Sequence, residues 1–350
     1  MKIVHIADVH WRGLSRHEEY ILAFNDFFIK ARDCNPDVIY VGGDIVHSKT
    51  QGISPELIQS LCWWFNKMAS ICPVHVILGN HDGLILNKDR QDAITPIIKA
   101  INNPNIHLLK HTGIYDTGHQ GFKWCVFSCF DEENWVDVHP DPSDINIALF
   151  HGSVRGSLTD FDWQLGGEVN LGFFKDYDFA LLGDIHKRQV LSKQNPAMFY
   201  PGSLVQQNFG EAYEGHGYAL CDLTHPDKIE YTFHDIINDS GYYTLDIIDG
   251  ILPSNLPITA KTGLRIRTQN TNSAQLKRVL ATIRKEYKNK DATIQRLDKN
   301  ADGTLVDLLD GSLNQGDVRN IQYQNQLLTE WMENNSIDDE LAQKVLTINK

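Results

Sequence analysis

The sequence predicts an α/β chain in which two β-sheets pack as a sandwich flanked by helices, followed by a small α+β domain and C-terminal helices. Three observations predict it. Short β-branched runs alternate with helical patterns in the first half, strand patterns crowd together from residue 106 to about 235, and the texture changes near residues 238–241.

In order, KIVHIA, DVIYVG and VHVILG read as strands separated by helical stretches at 18–32 and 55–69, which implies βαβ units and a largely parallel sheet. NIHLL, FKWCVFS, INIALF, DFALLG, RQVLS, AMFYP, GYALCDL and KIEYTFH then follow closely enough to build a second sheet on the first. YYTLDIID, GLRIRTQ, a helix at 273–288 and ATIQRLD make the small domain. Two helices at 318–334 and 338–348 close the chain. The expected divisions are 1–238, 239–312 and 313–350.

A chain of 350 residues exceeds the roughly 250–300 at which a single core stops growing, so two domains are expected. The formal charge of −13 argues against holding a polyanion over the whole surface, because that requires clustered Lys and Arg. No apolar run reaches the roughly 20 residues of a membrane span, and the N-terminus opens on a strand, so a cytoplasmic protein with no membrane partner is expected. The six cysteines form no C-x-x-C pair and read as reduced core residues.

The chemistry sits where strands end. Five ends carry potential ligands: Asp8-Val9-His10, Gly43-Asp44-Ile45-Val46-His47, Gly79-Asn80-His81-Asp82, His151-Gly152 and Gly183-Asp184-Ile185-His186. Carboxyl ends of strands in an open α/β sheet line the ligand crevice, so the groups should converge. Oxygen and imidazole ligands without thiolate suit a catalytic site for Mn²⁺, Mg²⁺, Fe or Zn²⁺, and two adjacent ions need a bridging carboxylate, for which Asp44 is the candidate. Asp8-x-His10 and Asp184-x-His186, if extended, point both members to one side, and the flanking glycines permit sharp turns.

The ordered set of motifs resembles the calcineurin-like metallophosphoesterase superfamily over roughly residues 1–235, which implies its two-sheet sandwich fold. His47, the run Gly183 to Gln189, Tyr200-Pro-Gly-Ser-Leu204, the small capping domain and the terminal helices resemble the Mre11/SbcD branch. The resemblance implies one ion held by Asp8, His10, Asp44 and His186, and another by Asp44, Asn80, His151 and Asp184. Asp184 stands where the family often has histidine, and the harder ligand favours Mn²⁺ or Mg²⁺ over Zn²⁺.

The expected activity is metal-dependent DNA cleavage, exo- or endonucleolytic, in repair or recombination. His81 is the candidate general acid with Asp82 or a nearby carboxylate orienting its ring, and the resemblance implies that His47 helps place or protonate the substrate; the plainer reading of His47 is a loop histidine. DNA contacts are expected from Arg155, Lys187 and Arg188, and from a basic stretch at 261–290 that includes Arg265, Arg267, Lys277 and Arg278; for that stretch a solvated helix face is the competing reading. Leu327, Leu328, Trp331 and Met332 form an apolar stripe that either packs on its own domain or docks on a partner. The resemblance implies a Rad50/SbcC-like coiled-coil ATPase as that partner. A homodimer is also expected, with Trp63, Trp64 and Phe65 as one candidate surface. The first 235 residues fit equally a phosphodiesterase or phosphatase acting on a nucleotide, phosphoprotein or other small ester, whereas a non-catalytic scaffold would not need the full ligand set and His81.

Overall fold

The computed structural model describes residues 1–48, 53–87, 90–193, 196–225, 228–290, 292–299 and 305–307. The expected terminal helices, with Leu327, Leu328, Trp331 and Met332, lie outside the described residues. The chain divides into two compact units, Met1–Tyr243 with Pro257–Gly263, and Thr244–Leu256 with Leu264 onward.

In the larger unit, strands β1 (Lys2–Ile6), β2 (Val38–Gly42), β3 (Val74–Ile77) and β4 (Ile106–Leu108) run parallel, linked by helices α1 (His17–Asp33), α2 (Pro55–Ala69) and α3 (Ile94–Ile101). A second sheet follows from β5 (Gly113–Asp116), β6 (Phe122–Phe127), β7 (Ile145–His151), β8 (Phe179–Gly183), β9 (Gln189–Ser192) and β10 (Ala197–Tyr200), in the order β5-β6-β7-β8-β10-β9. Its four inner strands are parallel and both edges antiparallel. The chain then returns as β11 (Gly217–His225) and β12 (Lys228–Asp235) to extend the first sheet antiparallel beside β1. This is the α/β two-sheet sandwich that the strand pattern predicts.

Every residue of β2 is buried, as a central strand covered on both faces requires. Ile39 and Val41 face the helices, while Val38 and Tyr40 face the other sheet with Trp124, Ile147, Leu149 and Phe199. Each such side chain contributes about 1.5–3 kcal/mol when removed from water. On the helix side Trp11, Phe24, Trp64 and Phe65 are fully interior. That corrects one expectation: Trp64 and Phe65 belong to the core of their own chain and are not available to a dimer, because α2 turns their side of the helix inward.

Helix α3 was not foreseen, since Pro96 interrupts the pattern; it stands in the first turn, where a missing N–H costs no intrahelical bond. Asp92 starts this helix. Its carboxylate accepts from the N–H groups of Ile94 (2.9 Å) and Thr95 (2.6 Å), from the Thr95 hydroxyl (2.6 Å) and from Lys110 (2.8 Å).

The smaller unit is a sheet of β13 (Tyr242–Ile248), β14 (Gly263–Gln269), β15 (Ala292–Lys299) and β16 (Leu305–Asp307), with α4 (Ser273–Glu286) crossing between the parallel β14 and β15. Asn272 and Gln275 cap α4 reciprocally, and Leu276, Val279 and Ile283 turn inward. Lys277 and Arg278 are left exposed, while Arg267 is held by Asp246 through two bonds of 2.6 and 2.7 Å.

Burial works against the charge of Asp92, yet the bonds from Lys110 and Thr95 outweigh it and lower its pKa. The stabilisation is therefore present above the unfolded carboxylate pKa of about 4 and fades as pH falls through the lower folded value. Asp92→Ala is expected to lose about 2 kcal/mol at pH 7 in a denaturant titration. The gap from the parent should narrow below pH ~4.

Candidate metal centre

The loops that follow the strands are tied together by backbone hydrogen bonds. After β1 and β2 the chain stays zipped: Asp8 N–H donates to Gly43 O (3.1 Å), His10 N–H to Asp44 O (2.9 Å) and Trp11 N–H to Ile45 O (2.9 Å). In the second sheet Gly152 N–H donates to Gly183 O (3.1 Å). Residues 203 and 204 join the two systems, since Ser203 N–H donates to His186 O and Leu204 N–H to Ala7 O. Ligands from both sheets are thus carried to one place.

The sheets also touch directly. A β-carbon on Gly183 would lie 2.3 Å from Gly42 O, and one on Gly79 would lie 2.2 Å from Asp44 Oδ1. These glycines serve close approach more than turning. Gly43 does turn, with φ +92°, and sharp turns fall as well on the acidic residues and one histidine, with φ of +51° at Asp8, +47° at His10, +51° at Asp44 and +96° at Asp184. This corrects the expectation that Asp8-x-His10 and Asp184-x-His186 converge by strand alternation. The left-handed backbone aims them, at a cost of about 1 kcal/mol or more each.

The structure brings the predicted side chains together. Ligand atoms of Asp8, His10 and His186 lie within 4.8 Å of one another, as do those of Asp8, Asp44 and His151, and those of His10, His47 and His81. Asp44 stands between, with Oδ2 3.4 Å from His10 Nε2 and Oδ1 3.3 Å from His151 Nε2. Asn80 Nδ2 is 3.4 Å from Asp184 Oδ1, and Asp184 N–H donates to Asp8 at 3.0 Å. The smaller unit's Arg265, Arg267, Lys277 and Arg278 are described on β14 and α4.

Hydrogen bonds determine which ring nitrogen faces inward. His151 Nδ1 donates to Gly42 O (2.7 Å), His81 Nδ1 to His47 O, and His186 Nδ1 to Glu211 (2.7 Å). A carbonyl accepts only, so in His151 and His81 the proton is on Nδ1 and Nε2 is left for another partner. For His151 that Nε2 is buried, makes no hydrogen bond and faces a carboxylate oxygen. His10 Nε2 and His186 Nε2 stand 2.9 Å apart. At that distance a protonated nitrogen donates to the other, and two unprotonated ones would face a shared cation; Asn80 Oδ1 is a further buried acceptor with no hydrogen bond. The donor set fits hard or borderline divalent cations.

The acidic groups of the centre favour charge on the imidazoles beside them, a role that a bound cation would take over: burial opposes a charge on His151, but Asp44, Asp8 and Asp184 outweigh it and raise its pKa. Burial raises the pKa of Asp8 to about 7, with the charges of Asp44 and Asp184 adding to it. Burial also opposes ionisation of Asp44, but His151 and His10 outweigh it and hold Asp44 ionised. For His186, burial is outweighed by the bond to Glu211 and by the acidic neighbours, which raise its pKa to about 9. His47 is different: burial, then Arg12 and His81, lower it to about 4, so its ring is neutral at neutral pH. A neutral ring suits the placing role among the two expected of His47.

Asp82 is also corrected. It does not orient the His81 ring, because its buried oxygens accept from the N–H groups of Ile45 (2.9 Å), Val46 (3.1 Å) and Gly79 (2.9 Å). It clasps the loops after β2 and β3, and the carbonyl of His47 orients His81 instead.

Glu211 escaped sequence reasoning, since it lies in the irregular stretch before β11 with no ligand motif around it. It is buried, and besides His186 it accepts from Gln207 N–H (2.8 Å) and Ser203 Oγ (3.1 Å). Carboxylates that hold a ligating imidazole by its second nitrogen typically contribute about 10–100-fold to cation affinity. Glu211→Gln is therefore expected to weaken Mn²⁺ binding by about that factor in calorimetry, with the melting temperature of the ion-free protein little changed.

Residues 1–188 match the calcineurin-like phosphoesterase family. The uncharacterized protein R555 of Acanthamoeba polyphaga mimivirus is 35% identical over 301 residues, covering 81% of this chain and 22% of that protein, so the chain spans about a fifth of the relative's length. Among solved structures, an archaeal phosphodiesterase is similar over 68% of this chain and 100% of its own, at 13% identity and a TM-score of 0.36. GAP50, the anchor in the inner membrane complex of Plasmodium, is similar over 63% of this chain and 80% of its own, at 14% and 0.38. A dimetal phosphatase from Danio rerio is similar over 63% and 92%, at 11% and 0.40. The match over more than half of the chain, falling on the strand-end residues just described, shows that the chain belongs to the calcineurin-like phosphoesterase family, whose members use two divalent metal ions.

Proposed function

We propose that the protein is a two-metal DNA nuclease of the Mre11/SbcD type, working with a Rad50/SbcC-like ATPase. The observation that carries the reading is the trio His10, His47 and His81, whose ring nitrogens lie within 4.8 Å of one another at the edge of the candidate centre. It provides two imidazoles beyond those of the ligand set. Support also comes from the run Gly183 to Gln189, from the appended α+β unit, and from exposed Lys277 and Arg278 in a chain of net charge −13. In such a chain an ATPase partner would supply much of the DNA-binding surface.

Asp8, His10, Asp44 and His186 would hold one ion, and Asp44, Asn80, His151 and Asp184 the other. When bound, the pair supplies positive charge to the scissile phosphate and acidifies a water for in-line attack. Asp184 adds a carboxylate where imidazole is common, which favours Mn²⁺, with Mg²⁺ next.

The protein's own groups complete the reaction. His81 keeps Nδ1–H on the His47 carbonyl in either protonation state, so Nε2 is free to pass a proton to the leaving sugar oxygen. His47, neutral and 5.9 Å from His81 between ring centres, helps position the strand. Arg155 and Arg188 flank the loops that carry His151 and His186, and Arg188 is steadied by Asp235 (2.6 Å) and by the Phe233 ring. Lys187 is steadied by Asp162.

His81→Gln tests the assignment. Manganese content should stay at the parental level, while cleavage of labelled DNA should fall by about 10²–10⁴-fold. Loss of metal would refute the acid role. In the same assay, hydrolysis of a nitrophenyl phosphodiester without any DNA cleavage would replace the nuclease reading by the small-ester one.

A further inference from the structure

Two large aromatic side chains stand in water on the stretch of chain between His151 and His186. Phe161 is 61% exposed and Trp163 53% exposed, and both lie at the tip of a short hairpin closed by the antiparallel bridge of Leu158 with Gln164, above a parallel bridge of Val154 with Val169. The hairpin is ordered: Arg155 N–H donates to Val169 O (2.7 Å), Leu165 N–H to Ser157 O (2.8 Å), and Thr159 N–H to Trp163 O (2.9 Å). At its apex Asp162 adopts φ +61°, which turns the chain between the two rings.

The hairpin is fastened to the segment that follows His186. The Gln189 side chain clasps Leu158 at both backbone groups, accepting from its N–H and donating to its C=O at 2.8 Å each. Lys187 bonds Asp162, and Tyr200 OH accepts from Val154 N–H at 3.0 Å. The Phe161 ring lies against Gly210, where a β-carbon would come within 3.1 Å of Cζ. Gly210 precedes Glu211, the carboxylate that holds His186. An exposed aromatic tip is thus fixed a short step from a candidate ligand.

Exposed rings on a loop tied to the segment after His186 suit one kind of occupant: unpaired bases, which stack on aromatic faces whatever their identity. The charges nearby set the orientation. Arg155 at the base of the hairpin offers a cation to the backbone, whereas Asp160 at the tip repels phosphate and the Lys187–Asp162 pair is neutral, which leaves the tip to the uncharged base faces. We propose that Phe161 and Trp163 form a stacking platform for unpaired nucleotides of the strand presented to the centre, a specificity element that rests on the nuclease reading above.

The test uses the full-length protein and the double variant Phe161→Ala/Trp163→Ala, with Trp163→Phe as the conservative control. Removing each ring is expected to raise KM for single-stranded DNA on the order of tenfold. Cleavage of blunt duplex and of a nitrophenyl phosphodiester should stay within about twofold of the parent. Binding of a labelled oligothymidylate in EDTA, followed by anisotropy, should weaken in parallel with KM, and Trp163→Phe should restore most of it. An unchanged KM for single strands in the double variant, or an equal loss on duplex and single strand, would overturn the platform while leaving the nuclease reading standing. If the parent hydrolyses the small ester and no nucleic acid, both fall together.

Discussion

A histidine aims its second nitrogen most firmly when the first is held from outside, and three rings of the larger unit are held in this way. The holders come from different places: the Gly42 carbonyl at the end of β2 for His151, the His47 carbonyl for His81, and the Glu211 carboxylate for His186. Each fixes a proton on Nδ1 and with it the direction of the ring. The sandwich matters because His151 and His186 follow strands of one sheet while Asp8, Asp44 and Asn80 follow strands of the other. Unless the two sheets approach within reach of a backbone carbonyl, the ring of His151 has no anchor.

That approach has a cost that the rest of the fold offsets. Asp8, His10, Asp44 and Asp184 hold a backbone that L-residues avoid, and Gly79 and Gly183 pack where no β-carbon fits. Burial, with the charges of Asp44 and Asp184 adding to it, raises the pKa of Asp8 to about 7. Against this stand the cores on either side of the first sheet and the clasp made by Asp82. Four left-handed residues and several like charges meeting at one spot are the pattern expected of a functional centre.

Much of the architecture was legible in the sequence because the ligand motifs and strand patterns coincide: each motif follows an apolar run that can only be a buried strand. Helix α3 was hidden by Pro96, and β5 by its half-exposed, irregular GIYD. Asp82 was misread because, in sequence, an acid beside a histidine looks like its partner, whereas in space three backbone N–H groups claim it. Glu211 left no trace, since its contact with His186 spans 25 positions and follows no periodicity. Extended alternation was the wrong cause for the convergence of Asp8 with His10, although the convergence itself is present.

The account depends on Asp44 standing between two cations. Crystals grown with Mn²⁺ and measured at the manganese edge test it most directly. Two anomalous peaks about 3.5–4 Å apart are predicted, one bounded by His10 and His186, the other by Asn80 and His151, with an Asp44 oxygen between them. A single peak, no peak, or an Asp44 carboxylate turned away from both would contradict it.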